Sequence, residues 1–326
     1  MIATIVRRLG SPPLTLAAFA AVGLGVLVEG WVTSAWRLAG PFALVAVNLA
    51  CAIATRPRLR RGGLGVFHAA LFVAMIVAAV GRLSHVQGRV EVVDGAAFDP
   101  SAVEITSSGP FASGFDGVAF AQGAYTVDYL PGLKRMRTRS TVVVDDGEAD
   151  RRSLVVGDDV PLVVNGWRFY TTHNKGYAAL LAWTGADGAT VAGAVHFPSY
   201  PRFDWKQEQT FMLPGAGDLM IRLDLPAPAD ADVEWRFAPS TRVADVVVVA
   251  DGREHRLAPG AALRLAAGTL RYEGVRGWMG YRIDRDPSVH TLLAIALIAI
   301  AGLAVHVLGG SRRPRPAADA LPEASA

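Results

Sequence analysis

Apolar positions along this 326-residue chain gather into four long runs, and between the third and fourth the pattern changes to short alternating segments broken by turns. The runs cover residues 13–29, 38–55, 64–84 and 288–308. A hydrocarbon core about 30 Å thick needs about 20 helical residues, with about 17 as a lower limit. Each run therefore reads as a transmembrane helix, the last two most comfortably. A basic pair ahead of an apolar stretch, here Arg7 and Arg8, also begins cleaved signal peptides. The second and third runs follow after short connections, which favours a multispanning anchor over residues 1–84, and the context of the pair is not that of a twin-arginine signal.

The stretch 85–287 is polar enough to be soluble and too long for a loop, so it reads as a folded domain inserted between spans three and four. Its texture is β. "TVVVDDGEADRRSLVV", "LLAWTGADGATVAGAV" and "DVVVVADGREHRL" each set an Asp-Gly pair between β-branched or alternating segments. Such pairs are strong hairpin signals because Asp and Gly tolerate the positive φ of a type I′ turn. The expected architecture is an antiparallel sandwich or barrel-like domain without helices and without a fixed-length repeat. The Pro/Ala-rich tail, 309–326, reads as disordered.

Charge then orients the chain. Arg7 and Arg8 precede the first span, Arg56, Arg58, Arg60 and Arg61 separate the second and third, and Arg312, Arg313 and Arg315 follow the fourth. Positive flanks are retained in the cytoplasm, so both termini are expected inside and the β domain outside. The net charge of +3 is largely made by these flanks, and so reports topology and not nucleic-acid binding.

Cysteine use excludes a thiol oxidoreductase, because the one cysteine, Cys51, lies inside the second span. The β domain also lacks a phosphate-binding glycine loop, a nucleophile elbow and a zinc-type histidine pair. No catalytic residue is assigned, and the chain reads as a subunit that is not an enzyme alone. Histidine in the membrane remains. His68 lies seven residues past Arg61 and His306 six before Arg312. At about 1.5 Å per residue both sit about 10 Å from the cytoplasmic arginines. His85 and His290 occupy the opposite ends of the same two spans. An ionisable group in lipid is costly, and neutral imidazole is an axial ligand of haem iron. His68 and His306 are thus candidate haem b ligands, with His85 and His290 behind them. The blander alternative is that these rings bond neighbouring helices or sit at an interface. His68 and His85 lie 17 residues apart, about −100° around a helix, so they share no face.

The layout of three spans, a large β-rich insertion and one closing span resembles the ResB (CcsB) family of the System II cytochrome c assembly pathway. Three segments carry the likeness: the third span "VFHAALFVAMIVAAVGRLSHVQG", the stretch "RSLVVGDDVPLVVNGWRFYTTHNKGY", and the domain exit "GWMGYRIDRDPSVHTLLAIALIAIAGL" with Tyr281, Asp286 and Pro287. Asp286 and Pro287 also suit a helix start on physical grounds. The chain departs from the family pattern in a short first external loop and in Ser288, where glycine is expected.

The resemblance implies haem handling together with a CcsA-type membrane partner that supplies the tryptophan-rich external segment, while this chain's seven tryptophans are scattered. It implies His68 as a ligand of haem iron, the second position coming from the partner, apocytochrome c as the acceptor, and a bacterial inner membrane as the membrane crossed. Two other readings stand beside it. One is a b-type haem subunit of a membrane electron-transfer complex, serving an external electron-transfer protein. The other is a non-catalytic scaffold whose β domain docks an external partner.

Overall fold

The structure, a computed structural model, describes residues 1–28, 31–32, 34–144, 151–225 and 230–310. It divides into two compact units: one made of residues 1–85, 107–112 and 286 onward, and one made of residues 86–106 and 113–285.

The first unit is helical, with α1 Ile2–Leu9, α2 Pro12–Leu27, α3 Trp36–Thr55, α4 Gly62–Ser84 and α5 Val289–Gly310. Among the described residues three helices, α3, α4 and α5, are long and apolar enough to cross a membrane, and α1 with α2 makes a fourth if that pair, bent by 49°, is one span. α2 covers the run expected over 13–29 nearly to its limits, and the break that separates it from α1 lies just ahead of that run. At about 1.5 Å per residue the 16 residues of α2 reach about 24 Å, short of a hydrocarbon core. The break follows from Pro12 and Pro13, which cannot donate to a preceding turn and so open a new helix behind Ser11.

A break between two helices leaves carbonyls at the end of the first without intrahelical donors. Asn48, buried in α3, supplies the missing donor. Its amide donates to the Leu9 carbonyl at 2.6 Å and to that of Ser11 at 3.2 Å, while its oxygen accepts from Thr15 Oγ1 at 2.7 Å. Arg56 Nη2 donates to the Gly10 carbonyl at 3.2 Å.

α4 and α5 pack antiparallel. Gly63 and Gly302 face each other so closely that a Cβ on Gly63 would collide with the Gly302 carbonyl and stand 2.6 Å from the His306 amide. The seam continues through Phe67, Ala70, Ala74 and Val77 against Ile295 and Ala299, and ends where Gly81 meets Ser288. Small residues at this spacing allow the close approach that drives helix association in membranes. Asp286 accepts from the Ser288 amide at 2.8 Å, an acidic cap at the entry to α5.

These contacts define two ends of the helical unit. Gly10 lies against Ala52, so the arginines at 7, 8, 56, 58, 60 and 61 gather at the end where Gly63 meets Gly302. The exposed rings of Trp31 and Trp36 belong to the other end, where Gly25 meets Arg37 and Leu38. There the strap 107–112 caps α4: the Gly109 amide donates to the His85 carbonyl and that of Phe111 to the Leu83 carbonyl, both at 2.9 Å. Exposed Phe111 adds a third aromatic ring to this end.

Among the described residues there are fifteen strands, all in the second unit but for the last two residues of β2: β1 Val86–Val93, β2 Glu104–Ser108, β3 Phe120–Leu130, β4 Lys134–Val144, β5 Arg152–Gly157, β6 Leu162–Val164, β7 Trp167–Gly185, β8 Thr190–His196, β9 Glu208–Leu213, β10 Gly217–Asp224, β11 Trp235–Phe237, β12 Asp245–Ala250, β13 Arg253–Leu257, β14 Ala262–Leu265 and β15 Gly268–Arg285. The largest sheet runs β2-β1-β15-β7-β6, with β14 on β15 and β8 on β7. Two four-stranded sheets run β13-β12-β10-β9 and β11-β3-β4-β5. Every pairing with a defined register is antiparallel.

The β3–β4 sheet packs face to face on β7 and β15 as a sandwich. Phe98, Phe120, Phe169 and Tyr281 fill the space between, with centroids 5.0 to 6.3 Å apart. Two polar links cross it. The Tyr125 hydroxyl lies 2.9 Å from the Trp278 carbonyl and 3.0 Å from that of Gly176, and the Tyr281 hydroxyl donates to Gln122 Oε1 at 2.6 Å. Gln122 in turn donates to Ser140 Oγ at 2.7 Å, so the buried amide is satisfied on both sides.

The three Asp-Gly segments do form hairpins, β4–β5, β7–β8 and β12–β13. Of the two of these Asp-Gly pairs that lie among the described residues, Asp251-Gly252 has both central φ angles positive, 51° and 73°, as a type I′ turn requires. Asn165-Gly166, at 47° and 78°, makes a second such turn between β6 and β7. The Asp146-Gly147 turn and tail residues 311–326 lie outside the described residues, while α5 runs through Gly310.

Replacing Asn48 by leucine should leave the Leu9 carbonyl at the α1–α2 break without a donor and Thr15 without its acceptor on α3. We expect it to lower helical-unit stability by about 1–2 kcal/mol, read as a lower melting temperature of the detergent-solubilised full chain. The matched control Val47→Leu, on the exposed side of the same helix, should leave it within error.

Candidate functional site

His68 lies on α4 directly after Phe67, a seam residue, and is half buried. Its Nδ1 stands 2.8 Å from the Leu64 carbonyl one turn back. A carbonyl can only accept, so this nitrogen carries the proton, and in the neutral ring Nε2 keeps its lone pair. Phe67 meets the imidazole edge-on, with centroids 5.4 Å apart. This is how metal-binding imidazoles are oriented, one nitrogen fixed by a backbone acceptor and the other left to coordinate.

The other three histidines of these helices differ in setting. His306 is exposed on α5, with its backbone amide against Gly63. It sits at the same end of the helical unit as His68, yet no ring contact joins the two among the described residues. Counting 100° per residue, His68 lies one step off the line of Gly63, Phe67 and Ala70 that faces α5. His85, 4% exposed, ends α4, and its carbonyl serves the strap. His290 is exposed in the first turn of α5. Among the described residues no cluster of three or more His, Cys, Asp or Glu is arranged to hold a metal ion. A haem iron would take its protein ligands singly, so the donor set that fits it is one imidazole with a free Nε2, as at His68.

Sequence reasoning missed a second polar site, within the β unit. A cleft of about 750 Å³ opens beside β1, β7 and β15. Glu91 on β1 accepts from His196 Nδ1 at 2.7 Å and from Asn174 Nδ2 at 2.7 Å, and Asn174 Oδ1 accepts from the Ser199 hydroxyl. His196 stacks on Trp278, with centroids 5.3 Å apart and planes 5° from parallel. Arg89, Arg202 and Arg282 bring positive charge to the same cleft. Glu91 and His196 are 105 residues apart, and only the pairing of β1, β15, β7 and β8 brings them together. No local motif announces them.

Behind this cleft Lys175 is 1% exposed, its Nζ donating to the Thr172 carbonyl at 3.1 Å. Burial, reinforced by Arg135, pushes its pKa down to about 7, against the opposing pull of Asp158. Arg135 pairs with Asp158 at 3.1 Å. Asp94 is shifted the other way, up to about 6, because burial outweighs the hydrogen bonds from Ser240 and Gly277.

The ResB-like family model matches residues 38–314, from the start of α3 past the end of α5. No curated protein matches the chain. The chain belongs to the ResB-like family, and α1 and α2 lie ahead of the matched stretch.

The sign of the Lys175 effect on stability is fixed by its shift. Between pH 7 and 10.5 the unfolded chain binds the proton that the folded chain has released. The lysine's destabilisation is therefore complete below pH 7 and fades as pH rises, by about 1.4 kcal/mol per pH unit. We expect Lys175→Met to raise the melting temperature of the full chain most at pH 6–7, with the gain shrinking towards pH 10. A gain independent of pH would show that the lysine is not titrating there.

Proposed function

For a chain of the ResB-like family, whose place is in cytochrome c biogenesis, we propose the role of a haem-handling subunit that passes haem b across the membrane to a CcsA-type partner. The single observation that carries this reading is the His68 imidazole, proton fixed on Nδ1 by the Leu64 carbonyl and Nε2 free, in a helix of span length. His68 would hold the haem iron through Nε2, and the partner would supply a second ligand; His306 is the in-chain alternative. Bound there, haem supplies the cargo that is later joined to apocytochrome c.

The chain's own residues do three things in this scheme. Leu64 holds the imidazole in its ligating tautomer. Phe67 and the apolar wall of α4 keep water from Nε2. The arginines gathered at the Gly63–Gly302 end mark the cytoplasmic face, because positive flanks stay inside. Both termini are then cytoplasmic, the β unit lies on the far side of a bacterial inner membrane, and haem enters from the arginine side.

The test is the reduced-minus-oxidised spectrum with pyridine haemochrome quantification. It uses the purified full chain, alone and co-expressed with a CcsA-type protein. We expect haem to depend on co-expression, to fall at least about tenfold in His68→Ala and to be retained in His306→Ala. Haem held by the chain alone and lost in either variant would instead identify a b-type cytochrome, and haem-free protein throughout would leave a scaffold.

A further inference from the structure

β8, residues Thr190–His196, pairs with β7 on one side through an unbroken register from Ala178↔His196 to Thr184↔Thr190. Its other side pairs with no strand among the described residues. β9 approaches it, but no backbone hydrogen bond joins them among the described residues. The Phe197 amide bonds the Tyr177 carbonyl and the Gly185 amide the Ala189 carbonyl. Odd-numbered residues therefore face β7, and Thr190, Ala192, Ala194 and His196 point their amides and carbonyls outward.

An open edge of this kind invites pairing with another chain, and sheets normally guard against it with charge, proline, bulges or brevity. The other edges here do so. β13 carries Arg253, Glu254 and Arg256; β2, β5, β9 and β14 carry Glu104, Arg152, Glu208 and Arg264; β6 and β11 have three residues each. β8 has no Asp, Glu, Lys or Arg, no proline and no bulge, and is exposed from Thr190 through Ala194.

Two further features say what covers it. The strand reads Thr-Val-Ala-Gly-Ala-Val-His, symmetric about Gly193 apart from its two ends. The fold itself does not require that glycine: a Cβ there would meet nothing within 4 Å, and its φ is not left-handed. Glycine inside an ordinary strand weakens it and marks a place where another backbone approaches closely.

We propose that β8 is a homodimer edge, at which two copies of the chain pair antiparallel about a two-fold axis through Gly193. Ala192 then faces Ala194 of the second copy, Val191 faces Val195, and the outward amides and carbonyls of the two strands satisfy one another. The interface is isologous, as a closed two-fold pair requires, and no like charges meet across it. Gly193 meets its own counterpart in a non-hydrogen-bonded pair, where the Cα atoms approach to about 4.5 Å.

Single cysteines in the full-length chain carrying Cys51→Ser test the register. On mild oxidation in native membranes, Gly193→Cys should form a dimer at least tenfold faster than Val191→Cys. Positions 191 of the two copies stand four residues apart along the strands, about 13 Å, beyond disulfide reach. Val191→Cys mixed with Val195→Cys should crosslink as Gly193→Cys does. Light scattering in detergent should find a dimer for wild type and a monomer for Ala192→Lys/Ala194→Lys. Co-expression of that variant with Ala192→Glu/Ala194→Glu should restore the dimer, which a merely misfolded variant would not do. A monomeric wild type, or equal crosslinking at 191 and 193, overturns the proposal whatever the outcome of the haem measurements.

Discussion

Between Gly63 and Gly302 two helix backbones run so close that one added methyl group would force them apart, and that approach settles the layout of the chain on either side of it. α4 delivers the chain to β1 and α5 receives it from β15. Closing so long an insertion costs entropy, and the cost is met at both levels of structure. Within the helical unit Gly81 meets Ser288. Within the β unit Val86 pairs with Arg285 and the register continues to Val93 opposite Trp278. First and last strands are thus neighbours in one sheet, and the first and last helices flanking them are neighbours in one bundle.

The sequence disclosed those features whose cause is local. Three apolar runs became helices close to their expected limits, since about 20 apolar residues can do little else in lipid. Asp-Gly pairs announced hairpins, but Asp187-Gly188 turns with only the glycine at positive φ, 81°, because the turn type depends on how the flanking strands are twisted and bonded. The first run formed its helix as well, but the break just ahead of it has a local cause and a distant remedy. Ser11-Pro12-Pro13 breaks the helix, and what makes the break tolerable is Asn48, far along the chain on another helix. A lone asparagine in an apolar run does not declare its partner.

The same division separates the two polar sites. His68 stood out because an imidazole among apolar residues is conspicuous, and its acceptor, Leu64, is only a turn away. The Glu91, Asn174, Ser199 and His196 network was invisible because each member is an ordinary polar residue on a strand. Strand order alone makes them a group. Lys175 lies between these cases. Its charge is plain in the sequence, and its burial is a product of the sandwich closing over it.

The strap 107–112 belongs by sequence to the β-rich stretch and by packing to the helices. The chain therefore passes between the two units four times, not twice. A protease nick in one connection would leave the halves joined, and a recombinant fragment spanning 86–285 would carry away the cap of α4. In such a fragment the amides of Gly109 and Phe111 would lose their carbonyl partners, so shortening the strap is the first change to make when dissecting this molecule.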